Sequence, residues 1–176
     1  LNIVNAKVEI SNLNFKDAYS DAFDCDFCTG FVSDLQLNNI KGDALDFSGS
    51  KLNVSNILIS FIGDKALSIG ESSIVNFDNI SIEESSTGVA VKDASTVKIE
   101  SIKMKNIFND AFMTYLKKPY FYGNTRLEVS NSNMIDDVDG DLCVRQINTY
   151  AEINGNICDV SQIDVQALYK NGRMKK

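Results

Sequence analysis

The chain has 176 residues, 44% of them apolar, which is the length of one domain with enough apolar matter to bury a continuous core. Its formal net charge of −7 speaks against nucleic acid as a partner, since a phosphate backbone rewards clustered Lys and Arg, and leaves cations or neutral sugars as better ones. With no His at all, the commonest general base and metal ligand is missing, so any proton transfer falls to Asp, Glu, Lys, Arg or Tyr.

Leu1 opens without the basic, apolar and small-residue segments of a signal peptide, so the sequence reads as a mature or excised piece of a longer chain. No apolar run approaches the ~20 residues that cross a bilayer, so no transmembrane segment is expected. Five segments then begin with a small or polar residue and continue as a short apolar strand: Asp21-Ala22-Phe23-Asp24-Cys25, Asp43-Ala44-Leu45-Asp46-Phe47, Lys65-Ala66-Leu67-Ser68-Ile69, Thr87-Gly88-Val89-Ala90-Val91 and Asp110-Ala111-Phe112-Met113-Thr114. Their first residues, 21, 43, 65, 87 and 110, advance by 22 three times and then by 23. A near-constant step of this kind is the signature of a solenoid.

A second register runs through Ile10-Ser11-Asn12-Leu13, Val32-Ser33-Asp34-Leu35, Val54-Ser55-Asn56-Ile57, Phe77-Asp78-Asn79-Ile80, Ile99-Glu100-Ser101-Ile102 and Val129-Ser130-Asn131-Ser132. Two polar residues interrupt the period-two alternation, as a corner between two inward-facing strands requires. Asn12, Asp34, Asn56, Asn79, Ser101 and Asn131 then stack at the bend as a polar ladder. Coils of about 22 residues are too short for a helix plus a strand with ordinary loops and suit three brief strands separated by corners. The expected fold is all-β: one single-stranded, right-handed parallel β-helix over 1–176, with six to seven coils and a rod roughly 30 Å long. Inward ladders are expected along Phe23, Leu45, Leu67, Val89, Phe112 and along Ile10, Val32, Val54, Phe77, Ile99, Val129, Ile153.

The next matching start, Asp141-Leu142-Cys143-Val144, comes 31 residues after Asp110, so a loop is inserted at about 116–125, around the single proline, Pro119. Residues 162–176 read as a last irregular coil with a frayed basic end at Lys170, Arg173, Lys175 and Lys176. Four cysteines are too few to build the fold, and the lone Cys25-Asp-Phe-Cys28 lacks the second pair that zinc requires. Cys25 and Cys28 are expected to stay separate, one inward and one at a corner. Cys143 and Cys158 both fall at inward positions and could meet as a disulfide pinning the C-terminal end.

The runs Gly42-Asp43-Ala44-Leu45-Asp46-Phe47-Ser48-Gly49-Ser50, Gly63-Asp64-Lys65-Ala66-Leu67-Ser68-Ile69-Gly70-Glu71 and Gly88-Val89-Ala90-Val91-Lys92-Asp93 resemble the right-handed parallel β-helix repeat proteins of bacteria, in the broad pectate-lyase-like group. The resemblance implies extracytoplasmic work on polysaccharides. The group holds calcium-dependent lyases with a Lys or Arg base, hydrolases with paired carboxylates, and many non-catalytic members.

On the first strand of each coil the residues between inward ones face solvent, which stacks Asp24, Asp46 and Ser68 in one column and Asp26 and Ser48 in the next. Like charges so close repel unless a cation or proton intervenes, so Asp24, Asp26 and Asp46 read as a calcium site or a carboxylate pair, beside the plainer reading of a solubilising acidic face. Farther along, Lys92, Tyr115, Lys117, Lys118, Tyr120, Tyr122 and Arg145 bring basic and aromatic groups together for sugar or uronate binding, or pack the insertion against the rod. Glu71 is expected to pair with Lys92. Asp136, Asp137, Asp139 and Asp141 carry the oxygen ligands of a calcium loop but lack its later glutamate, so loop solvation is the plainer account. No cofactor other than calcium is suggested.

The leading expectation is a non-catalytic, extracytoplasmic module, secreted or at the cell surface, that recognises a polysaccharide or cell-surface glycan through Tyr115, Lys117, Lys118, Tyr120 and Tyr122. One alternative is a lyase or glycoside hydrolase on acidic glycans with Asp24, Asp46, Lys92 and Arg145 as catalytic candidates. Another is a structural or adhesin stalk.

Overall fold

The computed structural model describes residues 1–170 and 174, residue 133 in its backbone alone. It is a parallel β-solenoid of about seven turns, 66% strand and 4% helix. The strands are β1 (Asn2–Val4), β2 (Lys7–Ala18), β3 (Phe23–Asp26), β4 (Thr29–Ile40), β5 (Leu45–Ser48), β6 (Lys51–Gly70), β7 (Ile74–Lys92), β8 (Thr96–Ile107), β9 (Phe112–Tyr115), β10 (Arg126–Val138), β11 (Cys143–Arg145), β12 (Tyr150–Ile153) and β13 (Asn156–Ile157), followed by the helix α1 (Val165–Lys170). Among the described residues no helix is long and apolar enough to cross a membrane.

Each coil has three faces. The first sheet stacks β1, β3, β5, the ends of β6 and β7, β9 and β11, and the long strands β2, β4, β6, β7, β8 and β10 bend to supply the second and third. Both inward ladders run in register as expected: Phe23 opposite Leu45, Leu67, Val89 and Phe112, and Ile10 opposite Val32, Val54, Phe77, Ile99, Val129 and Ile153. Their side chains close the core that fills the solenoid, where Phe47 lies edge-on to Phe23 at 5.7 Å and stacks on Phe77 at 6.5 Å between ring centroids.

The corners explain the polar pairs. Asn12, Asp34, Asn56 and Asn79 all have φ near +57°, the left-handed region that short polar side chains tolerate best. Asn56 donates to Asp34 (3.0 Å) and Asn79 to Asn56 (2.8 Å), so the ladder is real in the middle coils. Asn12 turns instead to Ser11 and Asn131 to the Glu100 carbonyl. A further left-handed column, Asp17, Asn39, Phe61, Glu84, Asn106 and Asp137, bends the third face, and Asn5, Phe27 and Gly49 bend the exit from the first.

Two more ladders join side chain to backbone. The amide of Asp43 donates to the Asp21 carboxylate (2.7 Å), that of Lys65 to Asp43 (3.0 Å) and that of Asp141 to Asp110 (3.0 Å), which is why the repeat so often opens on Asp. Inside the first corner, the amides of Cys28, Ser50 and Ser73 donate to the hydroxyls of Ser50, Ser73 and Ser95 in the next coil at 2.8–3.1 Å, so buried amides that turn away from any strand still find acceptors.

Two expectations are corrected. Cys25 and Cys28 are not separate: the left-handed Phe27 (φ 56°) folds both side chains into the interior, where they form a disulfide with Cα atoms 5.8 Å apart. Residues 162–170 do not make a last coil. After Cys143 and Cys158 join in a second disulfide and β13 pairs antiparallel with β12, the chain turns back and lays Ile163, Val165, Leu168, Tyr169 and Met174 over the outer surface of the first sheet. Lys170 ends α1, while Arg173, Lys175 and Lys176 lie outside the described residues. The insertion falls where expected, between β9 and β10.

Because Phe47 is fully buried between the rings of Phe23 and Phe77, Phe47→Ala should cost about 3–5 kcal/mol. A lower denaturation midpoint at unchanged strand content, followed by circular dichroism, is the expected result.

Candidate functional site

The outer surface of the first sheet changes character along the axis. Asp24 lies opposite Asp46, and Asp46 opposite Ser68, with Asp26 opposite Ser48 alongside. The same column continues through Ala90, Met113 and Val144, apolar residues that would be exposed on a bare solenoid but are buried beneath the C-terminal strap. Tyr169 fastens the strap: its hydroxyl bonds the Tyr115 hydroxyl at 2.8 Å. Where the strap stops, a cleft of about 240 Å³ opens between Tyr169 and the coil starts, lined in part by Asp43, Asp46, Lys65, Lys92 and Lys117.

Within the cleft, Lys65 is a structural ion. Burial alone would lower its pKa, but Asp43 at 3.0 Å and Asp64 at 2.7 Å hold the ammonium above its ordinary value. Lys92, only 7% exposed, donates to the Ser68 hydroxyl at 2.8 Å. Burial raises the Asp46 carboxyl, and the charge of Lys92 only partly offsets this. Lys117 is lowered, first by burial and then by the like charges of Lys92, Lys65 and Lys118, and its ammonium sits 4.2 Å from the Tyr169 ring centroid. The cleft thus brings Lys65, Lys92 and Lys117 together with the carboxylates of Asp21, Asp43, Asp46 and Asp64.

Asp93, buried at the corner above, sets this geometry. Its carboxylate accepts from the amides of both Lys117 and Lys118 at 2.7 Å and so folds the start of the insertion back onto the rod. Lys118 completes the anchor by pairing with Glu71. The expected Glu71–Lys92 pair does not form, because Lys92 is drawn to Ser68.

Other expectations change too. Tyr115 cannot meet a ligand from solvent, since it is fully buried under the strap with its hydroxyl between Tyr169 and Met174. Arg145 pairs in register with Thr114, off the outward column, and its guanidinium holds the Cys158 carbonyl (2.9 Å) and the Thr149 carbonyl (2.6 Å) rather than facing the cleft. Tyr120 and Tyr122 are exposed, Tyr122 at 91%; Tyr120 leans on Phe121 with ring centroids 5.2 Å apart. Asp24, Asp26 and Asp46 repel one another without forming a cage, and among the described residues no three Asp, Glu or Cys side chains are disposed to hold a metal ion. Asp93 and Tyr169 were missed from the sequence, although Val165, Leu168 and Tyr169 stand at helical spacing and signal an apolar stripe seeking a surface.

Burial, and then the charges of Asp26, Asp46 and Asp21, raise the Asp24 carboxyl from 3.8 to about 6. Its proton is held more tightly in the folded chain, so Asp24 costs stability progressively as pH rises from 3.8 to about 6 and in full above that. Asp24→Asn should therefore raise the melting temperature at neutral pH, by less than ~1 kcal/mol of stability because solvent still screens this partly buried group. The gain should vanish in melts recorded below the ordinary Asp pKa.

No protein-family model, curated protein or solved structure matches the chain, so the functional reading rests on the chemistry of the cleft.

Proposed function

We propose that this solenoid is a non-catalytic module that recognises acidic polysaccharide outside the cytoplasm, through the cleft between Tyr169 and Lys92 and the loop that follows Lys117. The observation that carries the reading is the gathering of Lys65, Lys92 and Lys117 in one cleft, with Lys117 set over the Tyr169 ring. A carboxylate placed there relieves the repulsion that depresses Lys117, and a uronate sugar brings one together with an apolar ring face. Tyr120 and Tyr122 on the loop, and Tyr19, which lines the cleft, stand exposed to cover such faces. At about 240 Å³ the cleft is smaller than the roughly 300–1,000 Å³ of ordinary ligand pockets, so it suits one sugar residue, with the rest of the polymer along the face.

Recognition is preferred to turnover because Lys92 is engaged with Ser68 and Arg145 holds two carbonyls, which leaves neither placed as a base. The cysteines support that location: none is free, and two disulfides suit an oxidising compartment. A second reading, a lyase or hydrolase on the same glycans, is favoured by the opposite shifts of Asp46 and Lys117 within one cleft, the division expected of an acid and a base. New reducing ends or ultraviolet absorbance of an unsaturated product would reveal it.

Calorimetric titration with uronate oligosaccharides tests recognition directly. Lys117→Ala should weaken binding by about tenfold or more, the scale of one charged hydrogen bond. Affinity should fall as pH rises through the depressed Lys117 pKa, where its charge is lost. It should rise as pH falls through the elevated Asp46 pKa, where the competing carboxylate is neutralised. Binding indifferent to Lys117→Ala would overturn the assignment.

A further inference from the structure

The cleft between Tyr169 and the coil starts is lined by four aspartates and four lysines, so its formal charge sums to zero. Two of the lysines are turned to other work: Lys65 is held between Asp43 and Asp64, and Lys41 donates to Asn39 at the neighbouring corner (3.2 Å). The charges left to a ligand are Lys92 and Lys117 of one sign and Asp21 and Asp46 of the other. They are near enough to act on one another. After burial, the Asp46 carboxyl responds to Lys92 and to Asp21, and Lys117 responds to Lys92 and to Asp46.

The two signs are also sorted along the solenoid. Asp21 precedes β3 and Asp46 lies in β5, whereas Lys92 ends β7 and Lys117 follows β9, so the carboxylates come from earlier coils and the ammonium groups from later ones. Lys92 reaches back to the hydroxyl of Ser68 (2.8 Å), which stands opposite Asp46 in the next coil and donates to it. The signs thus meet across one coil step, about 5 Å. A carboxylate alone suits such a cleft poorly, since Asp46 repels what Lys117 attracts. A ligand that carries both signs at a similar separation satisfies both ends at once. In a glycan, a uronate beside an amino sugar does so when the nitrogen is free, whereas acetylation removes the ammonium and adds bulk to a cleft of about 240 Å³.

Resting on the glycan reading above, we infer that the cleft recognises a zwitterionic segment, a uronate next to an amino sugar with its amine free, the carboxylate against Lys92 and Lys117 and the ammonium against Asp21 and Asp46. Lys92 can serve the ligand while it holds Ser68, because a lysine ammonium has donors to spare. Asp24, opposite Asp46 in the preceding coil, extends the negative side along the face. The polymer therefore lies along the solenoid axis with the uronate toward the later coils.

Calorimetric titration near neutral pH tests this with oligosaccharides of alternating glucuronate and glucosamine, identical except that the amines are free in one preparation and acetylated in the other. Wild type should bind the free-amine form about tenfold more tightly, the scale of one charged hydrogen bond. Asp46→Asn should weaken the free-amine form and strengthen the acetylated one, which abolishes the preference, whereas Lys117→Ala should weaken both alike. The preference is a ratio of two affinities measured on one preparation of protein, so a loss of folded material in a variant leaves it unmoved. Equal binding of the two forms by wild type, or a preference that both Asp46→Asn and Asp21→Asn leave intact, would overturn the inference while the carboxylate reading stood. Binding of neither form would overturn both.

Discussion

In-register stacking of parallel coils is the constraint on which everything else here depends. Once each turn must present its backbone to the turn below, a residue type is repeated at the same place or its column is broken, and the energy of the fold becomes a sum over neighbouring coils. The corners make this possible. Left-handed residues such as Asn56 and Asn79 reset the direction of the chain without adding length, and the Asp and Ser ladders accept the amides that corners expose. Core and cleft both follow from that repetition.

Stacking is also why so much was legible in advance. The ladders of Phe23 and Ile10 were read correctly because identity carries from one coil to the next, and the insertion around Pro119 because it breaks the step. The same logic placed Asp24 and Asp46 in one column. It did not extend to contacts between the solenoid and a chain that leaves it. Tyr115 has the parity of an outward residue, and only the returning strap buries it. The Cys25–Cys28 bond was missed for another reason: it depends on a left-handed Phe27, and nothing about phenylalanine announces that conformation.

The candidate site lies where these two kinds of organisation meet. The solenoid alone supplies a column of carboxylates and the buried Lys65 and Lys92, each held by its own or an adjacent coil. The strap and the insertion supply what is irregular: Tyr169 as a roof, and Lys117 brought in by Asp93. Lysines and carboxylates of several coils that shift one another's titration within one cleft gather at functional places more than in scaffolds.

The placement of the two disulfides bears on how the rod comes apart. Unzipping of a stacked array starts at its ends, and the cross-links sit near both, with none in the coils between. They do not restrain equally: one spans 3 residues and removes little disorder from the unfolded chain, whereas the other spans 15 and removes about 3 kcal/mol worth by loop-closure entropy. In a reducing environment the tail that roofs the cleft would therefore peel away first, exposing Ala90, Met113 and Val144 as a sticky strip while the aromatic middle stayed wound.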